Sequence, residues 1–590
     1  MKIKHIITAT LVSCCTIVQM TSCTDLSETV YSSVMTTNYY NTKQDVINAV
    51  FRPFEHVYSG VVYIFEHEEL TGDPLITPTR GSWWYDGGQW EKFHRHQYDE
   101  LIGQWTTEWN YFYQGIGQCN LVLDDLSRLN PTDFDMTQEE FDSFRAQLRC
   151  MRAFCYLRLL NAYRNCVLTT TSDQGINELP ENRKQVPPKT LFDFIESELK
   201  DFCLSALPTK TGSSGNGNMQ GSFTKGAAAG FLVRLYLNAE VWIGEDRYQE
   251  CINMCERIRN GEFGTYTLAK NWWEPFDWNN ETCDEVIFGF PGSYSGVSWH
   301  MQNTYRTCYG RGLPYGSAHY LEVEGDGERN PKYALSPSYD NQIPRQEFEY
   351  KLGKVTRKFE KYPGDLRYRQ YKNTGANTRE GMFFLEGKIP NSNMAGGYAM
   401  NPENQYEIYL RDQVGRFERN GETGIIDAIY SKESILGNGD FNSGLYQVKY
   451  PFYPFNGGYY IESDFIEIRY AEIIYSEAEC LLRLGEPEKA GILLNSVRKR
   501  NYENFDASIA YEPEGSVQLT MEEMLDEWGR EFLAESRRRT DLIRFGRFQE
   551  AWWDKPQDPD NHYELFPISQ EALEQNSYLR QNPGYPDIAR

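Results

Sequence analysis

Aromatic and acidic side chains concentrate in one short, loop-like stretch of the chain. Trp83, Trp84 and Trp90 flank Asp86 and a diglycine that interrupts regular structure. Indole rings offer large, rigid apolar faces with one polar handle each, and carboxylates accept hydrogen bonds from hydroxyl groups. Such a set is suited to stacking on the C–H face of a sugar ring while binding its hydroxyl rim. The alternative is a structural turn that packs these rings onto neighbouring helices.

Two other groups of side chains have the types that acid–base or metal chemistry uses. The first is a mixed-charge cluster near the C-terminus: Glu531, Glu535, Arg538 and Asp541. Because both signs are interleaved, we interpret it as an ion network that locks the last helices. The second is the pair His94 and His96, for which no third metal ligand is evident. No HExxH, GxSxG or glycine-rich phosphate loop occurs. The sequence therefore predicts no catalytic residue, no metal and no cofactor.

The N-terminus predicts export and lipid attachment. Lys2 and Lys4 precede an apolar run from Ile6 to Val18, as in a secretory signal peptide. Small residues then stand directly before Cys23, which is typical of bacterial lipoproteins whose cysteine is acylated. We predict that residues 1–22 are removed and that Cys23 anchors the mature chain. An ordinary cleaved signal peptide is the alternative.

Composition limits the partners of the chain. Its 590 residues carry a formal net charge of -25, which disfavours nucleic acid because binding phosphates requires Lys and Arg contacts. No second apolar run is long enough to cross a bilayer. The ten cysteines after Cys23 show no zinc-like or CxxC spacing, so we expect mostly buried thiols with at most one or two disulfides.

Both ends of the mature chain have helical periodicity. Apolar residues recur at helical spacing in residues 102–129, 148–160, 188–207, 224–242, 248–258 and 466–484. Gly485 is expected to end one helix and Pro487 to begin the next, and Thr520 with Glu523 predicts a capping box. Consecutive helices with short turns favour degenerate tetratricopeptide-type pairs.

Residues from about 266 to 463 lack this periodicity. They are rich in Gly, Asn, Tyr and Pro, as in Ala395-Gly396-Gly397-Tyr398. We expect a large irregular insertion with short strands, carried by the helical scaffold. Long loops on a rigid scaffold are where binding residues usually lie.

Several motifs, in order along the chain, resemble the SusD/RagB family of outer-membrane lipoproteins. Residues 79–90, TRGSWWYDGGQW, resemble the family's RG-x-x-W-x-DGG-x-W stretch, and residues 149–159 resemble its R-x-x-RAFxYxxL helix. Residues 469–479 and 527–535 resemble the helices near its C-terminus. Each motif alone is weak, but their order behind a lipoprotein signal is specific. The middle of the chain matches no family motif well.

The resemblance implies a mainly α, SusD-like domain over residues 23–590. A degenerate tetratricopeptide-like scaffold would occupy residues 38–265 and 464–590, and a loop-rich ligand-binding region would occupy about 266–463. It also implies a cell-surface position on the outer membrane and a SusC-like TonB-dependent transporter as partner. The implied function is capture of oligosaccharides or polysaccharide for import, without cleavage.

The resemblance also assigns roles to individual residues. Asp73 and Arg80 would make the hydroxyl contacts, and Tyr98 would be a stacking platform alongside Trp83 and Trp84. From the central region we add three rings that we expect to be exposed: Trp299, Tyr305 and Tyr309. Trp272 and Trp273 are instead expected to pack inside, because adjacent rings left in water form a costly apolar patch.

Two other functions are left open. The same fold could cap a transporter for peptides rather than glycans. A surface glycosidase would need two carboxylates roughly 5–10 Å apart across a cleft, which the 84 acidic residues of the chain do not exclude.

Overall fold

The computed structural model describes residues 39–172, 183–210, 221–277, 279–291, 332–342, 344–375, 378–389, 397–401, 406–419, 426–429, 433–450 and 463–587. Two compact units are distinguished by their internal contacts, Met1–Val46 and Ile47–Arg590. In the first, the Asp45 carboxylate accepts hydrogen bonds from the backbone N–H groups of Asn41 and Thr42, at 3.1 and 2.8 Å. The second unit holds the helices from α2 onward and all of the described strands.

Helices dominate the described residues at both ends of the chain. Their bounds are α1 Lys43–Tyr58, α2 Val61–Leu70, α3 Gln89–His94, α4 Gly103–Leu126, α5 Gln138–Tyr163, α6 Pro188–Ser197, α7 Lys225–Leu237, α8 Ala239–Ile243, α9 Tyr248–Arg259, α10 Val355–Glu360, α11 Tyr470–Arg483, α12 Pro487–Arg498, α13 Met521–Glu531, α14 Arg538–Arg544 and α15 Gln570–Gln575. A wide π-type turn, Glu198–Cys203, and a last turn, Leu204–Ala206, extend α6. The helices predicted over residues 102–129, 148–160, 188–207, 224–242 and 248–258 are confirmed.

Helices α4 and α5 pack against each other through the apolar faces that their periodicity predicts. The α4 face is fully buried and consists of Trp105, Trp109, Phe112, Ile116, Cys119, Leu123 and Leu126. Helix α5 begins at a reciprocal capping box, in which the Thr137 hydroxyl accepts from the Glu140 N–H at 3.1 Å and the Glu140 carboxylate accepts from the Thr137 N–H at 3.0 Å.

Helices α11 and α12 form the tight helical hairpin that the sequence predicts. Gly485 has φ 84°, and its N–H donates to the Leu482 carbonyl at 3.1 Å. The Glu486 N–H donates to the Leu481 carbonyl at 2.9 Å, which completes a Schellman motif. Pro487 then opens α12 in the first turn, where a missing N–H costs nothing.

The helical prediction over residues 466–469 is wrong. Residues Phe465–Arg469 form strand β12, which pairs antiparallel with β2, Val286–Phe290, and α11 begins only at Tyr470. The segment is rich in Phe and Ile and is buried on both faces, which favours a strand. Its partner lies far upstream in the chain, where a local periodicity cannot detect it.

The remaining described strands are short and lie mostly in the irregular region predicted between residues 266 and 463. They form antiparallel pairs of two strands each: β1 Leu75–Ile76 with β3 Ala334–Leu335, β4 Lys372–Gly375 with β5 Thr378–Glu380, β6 Phe383–Phe384 with β11 Tyr446–Gln447, β7 Gly387–Lys388 with β8 Tyr409–Leu410, and β9 Phe417–Arg419 with β10 Ile426–Ile429. The expected insertion of short strands is therefore confirmed for the residues described.

A buried ion network connects β12 to the last helices. The Arg469 guanidinium lies 2.8 Å from carboxylate oxygens of both Glu531 and Glu535, and 3.0 Å from Glu285. Burial raises the pKa of Glu531, but Arg469 and its neighbouring cations more than reverse this and hold that pKa well below its usual range. The structural interpretation of this charged cluster is confirmed, because its carboxylates are engaged by arginines inside the protein.

The described cysteines are free thiols. Eight are buried and Cys283 is partly exposed: Cys119, Cys150, Cys155, Cys166, Cys203, Cys251, Cys255, Cys283 and Cys480. Most of them therefore pack inside the protein as small hydrophobes, as predicted. Within the residues that the structure covers, no helix is both long and apolar enough to cross a bilayer.

Candidate functional site

Residues 80–88, which we name the aromatic loop, begin with a tight turn. The Arg80 N–H donates to the Trp83 carbonyl at 3.0 Å, and the Trp83 N–H donates back to the Arg80 carbonyl at 3.1 Å. Gly81 sits at the turn with φ 65°, and its missing side chain removes the steric cost of that conformation. The turn projects Trp83 at its far end.

Beyond the turn, the backbone of the loop is strained. Trp84 and Asp86 have φ values of 61° and 43°, in a left-handed region that side-chain-bearing residues rarely adopt. Gly87 and Gly88 follow with φ 68° and 80° before α3 begins. The Asp86 carboxylate accepts a hydrogen bond from the Trp90 indole N–H at 2.7 Å, which ties the loop to the first turn of α3. Strained positions that persist in this way cluster at functional sites.

The strained backbone displays two rings to solvent. Tyr85 is 57% exposed and Trp83 is 36% exposed, whereas Trp84 is half-buried and Trp90 is buried. Exposed apolar surface that is concentrated in one part of a protein often marks a binding site. The two outer rings are therefore the part of the loop that a ligand can reach.

Lys332 packs against Trp84 and Trp90, the two less exposed indole rings. Its ammonium lies 3.9 Å from the ring centroid of Trp90 and 5.5 Å from that of Trp84, which is within the range of cation–π attraction. It also pairs with Glu66, whose carboxylate accepts from the Tyr333 hydroxyl at 2.8 Å. Trp84 and Trp90 therefore contact the half-buried Lys332 ammonium, which is fixed in position by its ion pair with Glu66.

A second set of contacts holds the loop from behind. The Thr79 N–H donates to the Leu436 carbonyl at 3.0 Å, and the Leu436 N–H donates to the Asp554 carboxylate at 2.8 Å. Arg95 bridges Asp554 and Glu91 at 2.8 and 2.7 Å. Segments that are far apart in sequence therefore make contacts next to Thr79, directly before the aromatic loop.

Asp73 is not at the surface, which corrects its predicted role. It is fully buried, and its carboxylate oxygens lie 2.6 and 3.1 Å from the Arg538 guanidinium and 3.1 Å from Lys358. Burial by itself raises the pKa of Asp73, but Arg538 and Lys358 reverse this and hold that pKa well below its usual range. The side chain joins α14 to α10 and has no path to a glycan outside.

Arg80 and Tyr98 are also interior residues, so their predicted contacts are corrected in the same way. Arg80 is fully buried, with its guanidinium 3.3 Å from the Tyr446 hydroxyl. Tyr98 is 6% exposed and packs edge-on against Trp105 at 5.3 Å between ring centroids. Burial raises the pKa of Tyr98 well above its usual value. Both side chains pack inside the protein and do not face a ligand.

Of the other predicted site residues, Trp83 and Trp84 lie together on the aromatic loop as described. Cys23, Trp299, Tyr305 and Tyr309 lie outside the described residues.

His94 and His96 act as interior hydrogen-bonding residues. His94 Nε2 bonds to the Trp553 carbonyl at 2.6 Å, and His96 Nδ1 bonds to Asp558 at 2.7 Å. Burial lowers the pKa of each to about 4, so both are neutral at pH 7. Among the described side chains, no group of three or more His, Cys, Asp or Glu is arranged to hold a metal ion.

Sequence reasoning missed Tyr85 and Lys332. Tyr85 stands between the paired tryptophans and Asp86, and an aromatic triplet one residue before a diglycine was the available signal. Lys332 had no local signal, because it reaches the loop through a long-range contact.

The comparisons with known proteins agree with this architecture. Residues 292–585 match the model of the SusD family, and residues 20–237 match a second family model described as "Starch-binding associating with outer membrane". The chain belongs to the SusD-like family.

Individual relatives cover most of the chain. It is 25% identical to the starch-binding protein SusD of Bacteroides thetaiotaomicron over 497 residues, which are 81% of this chain and 78% of that protein. The solved structure of surface glycan-binding protein A from Bacteroides uniformis has a TM-score of 0.59 at 17% identity, covering 92% of this chain and 99% of that one. NanU of B. fragilis has a TM-score of 0.63 at 16% identity, covering 94% and 99%. These likenesses confirm the mainly α, tetratricopeptide-like fold.

Proposed function

We propose that this protein is a cell-surface, lipid-anchored binding protein that captures oligosaccharides or polysaccharide at the aromatic loop. It would then deliver them to a TonB-dependent outer-membrane transporter. The observation that carries the proposal is the pair of exposed rings, Trp83 and Tyr85, on a strained loop. The less exposed rings beside them, Trp84 and Trp90, pack against the Lys332 ammonium.

The chemistry of the loop suits a sugar. Two exposed rings can stack on the C–H faces of sugar residues, and the phenol hydroxyl of Tyr85 adds a donor and acceptor at the rim. Capture at a surface needs only modest affinity, since a Kd of about 1 mM corresponds to roughly -4 kcal/mol. Two stacked rings with a few hydrogen bonds are sufficient for that.

The family context favours the same ligand class and location. The relatives are named for binding starch and surface glycans, and the model matching the N-terminal part refers to the outer membrane. Lipid anchoring through Cys23 and delivery to a transporter remain parts of the proposal.

We further propose that the loop binds without cleaving. Each carboxylate described near it is already engaged: Asp86 by Trp90, Glu66 by Lys332 and Tyr333, and Glu91 and Asp554 by Arg95. A glycosidase needs one carboxyl group able to protonate the leaving oxygen and a second facing it. Paired and ion-bridged carboxylates are poorly suited to the acid role.

The test is calorimetry of the purified protein with a panel of starch, laminarin and other neutral glycans, together with a set of peptides. We expect binding to at least one glycan, weakened roughly tenfold, or about 1.4 kcal/mol, by Tyr85→Ala and by Trp83→Ala. Tyr350→Ala is the matched control, because that ring is also 38% exposed but lies outside the loop.

Three outcomes would contradict the proposal. A glycan affinity that is unchanged in the double variant Trp83→Ala, Tyr85→Ala would exclude the loop as the site. Binding of peptides with no glycan bound would favour the peptide-import alternative. New reducing ends after incubation with a bound glycan would show an enzyme.

A further inference from the structure

A second cleft lies outside the aromatic loop, between residues 267 and 284. Its volume is about 480 Å³, within the roughly 300–1,000 Å³ typical of small-molecule sites. It is lined by a short segment without regular secondary structure and by residues of two 3₁₀ turns, Glu274–Phe276 and Asn280–Thr282. None of the residues that build the aromatic loop or its supports lines it.

The cleft contains one flat apolar surface. Of two adjacent indoles, Trp272 is buried with the Arg379 guanidinium 4.7 Å from its ring centroid, whereas Trp273 is half-buried and lines the cleft. The expectation that both rings pack inside is therefore correct for Trp272 and only partly correct for Trp273. Part of the Trp273 ring is therefore exposed in the cleft and available to a ligand.

The rest of the lining is polar and mixed in character. Glu274 and Asp284 supply carboxylate acceptors, Lys270 supplies a donor, and Asn279 and Thr282 supply groups that do both. A sugar hydroxyl donates one hydrogen bond and accepts others, so it needs both kinds of partner around one ring. Carboxylates outnumber cations in the lining, which disfavours an anionic ligand.

The walls of the cleft are held by contacts from the scaffold. The Ala269 carbonyl accepts from Arg500 at 3.2 Å, and the Ala269 N–H donates to Glu285 at 2.8 Å. The Asn271 amide donates to Glu274 at 2.6 Å, and the Thr267 N–H donates to the Asp284 carbonyl at 3.3 Å. Contacts of this kind preorganise a site, because fewer groups need ordering when a ligand binds.

We propose that this cleft is a second carbohydrate subsite that takes one neutral sugar ring stacked on Trp273. The proposal rests on the proposed function and extends it. Two separate subsites on one protein can engage the same polymer, which raises the apparent affinity for polysaccharide without any change at the aromatic loop. An acidic sugar is disfavoured, because carboxylates outnumber cations in the lining.

The direct test is ¹⁹F NMR of protein labelled with 5-fluorotryptophan, in which the Trp273 resonance is identified by its loss in Trp273→Phe. Maltose, laminaribiose and cellobiose are the neutral probes, and glucuronate and spermidine are the charged ones. We expect a saturable shift of the Trp273 resonance with at least one neutral disaccharide, and none with glucuronate. The shift is expected to persist in the double variant Trp83→Ala, Tyr85→Ala.

The functional consequence is measured separately by affinity electrophoresis in gels containing amylopectin or laminarin. We expect Trp273→Ala to weaken retention by about tenfold, while Tyr350→Ala, the matched exposed ring, leaves it unchanged. Asp284→Asn is the second variant, because it alters an exposed lining group without removing a packed ring. It is expected to weaken the NMR affinity for the neutral disaccharide.

The outcomes separate this subsite from the aromatic loop. A Trp273 resonance that responds to no neutral sugar overturns the subsite, even if the loop binds glycan. A response that disappears in the double variant overturns it as well, since the cleft then only reports on the loop. A response to spermidine alone assigns the cleft to a cationic ligand instead. A Trp273 response without any effect of the double variant on glycan binding contradicts the proposed function and leaves the subsite standing.

Discussion

Replacing Glu69 by glutamine is expected to stabilise the protein at neutral and alkaline pH. Glu69 is the penultimate residue of α2 and is fully buried. One carboxylate oxygen accepts from the Arg537 N–H at 3.2 Å, and the other has no hydrogen-bond partner within the described structure. Burial, assisted by the neighbouring charge of Glu68, raises the pKa of Glu69 to about 8, although Arg537, Arg538 and Lys449 oppose the shift.

The sign of the effect follows from the direction of the shift. Below pH 4.5, the ordinary value for Glu69, the folded and unfolded states both hold the proton, so burying the group costs no ionisation energy. Between pH 4.5 and about 8, the unfolded chain releases the proton and the folded chain retains it. The free energy of unfolding then falls by about 1.4 kcal/mol per pH unit, which amounts to roughly 3 kcal/mol at pH 7. Glutamine does not ionise and therefore avoids this loss.

The measurement is denaturant unfolding of wild type and Glu69→Gln between pH 4.5 and 8.5. Many groups titrate over this range, so the difference between the two proteins is the informative quantity. We expect the variant to gain stability progressively above pH 5, by about 3 kcal/mol at pH 7. A variant that is less stable by the same amount at every pH would refute the reasoning, because the carboxylate would then be ionised and stabilised in the folded state.

Two further predictions concern Asp73 and Cys23. Asp73→Asn is expected to cost about 3–5 kcal/mol near pH 7, because it removes the buried carboxylate that pairs with both Arg538 and Lys358. The lowered pKa of Asp73 means that this cost shrinks as the pH falls below 3.8, opposite in sign to Glu69, and an unfolding series extended below that pH measures it. Cys23→Ala is expected to move the protein from the membrane to the soluble fraction, because lipid attachment requires that thiol. Retention in the membrane fraction would contradict the anchor.

The sequence predicts those parts of the fold that depend on nearby residues. The buried face of α4 and the turn at Gly485 and Pro487 follow from spacing within a few residues, because helical periodicity and capping are local. Strand β12 was misassigned because its pairing with β2 is set by residues far away. A short apolar run next to a helix is ambiguous until its partner is known.

The site shows the same division between local and long-range information. The aromatic loop could be located from Trp83, Trp84 and its diglycine, which are neighbours in sequence. The interior position of Asp73 could not be predicted in this way, because its main partner, Arg538, lies 465 residues further along the chain. A loop-like sequence therefore contained both exposed rings and buried charges. Only the tertiary contacts distinguish them.

The strain in the aromatic loop bears directly on how a weak ligand can be held. A left-handed residue such as Trp84 or Asp86 costs of order 1–3 kcal/mol, which the folded protein sustains through the Asp86–Trp90 bond and the turn at Arg80. Ordering two mobile rings on binding would cost about 1–3 kcal/mol, out of the roughly 4 kcal/mol available at a Kd of 1 mM. A loop that is already rigid avoids most of that loss. The strain therefore suits a site that binds weakly, reversibly and without rearrangement, as the proposed capture and transfer of a glycan require.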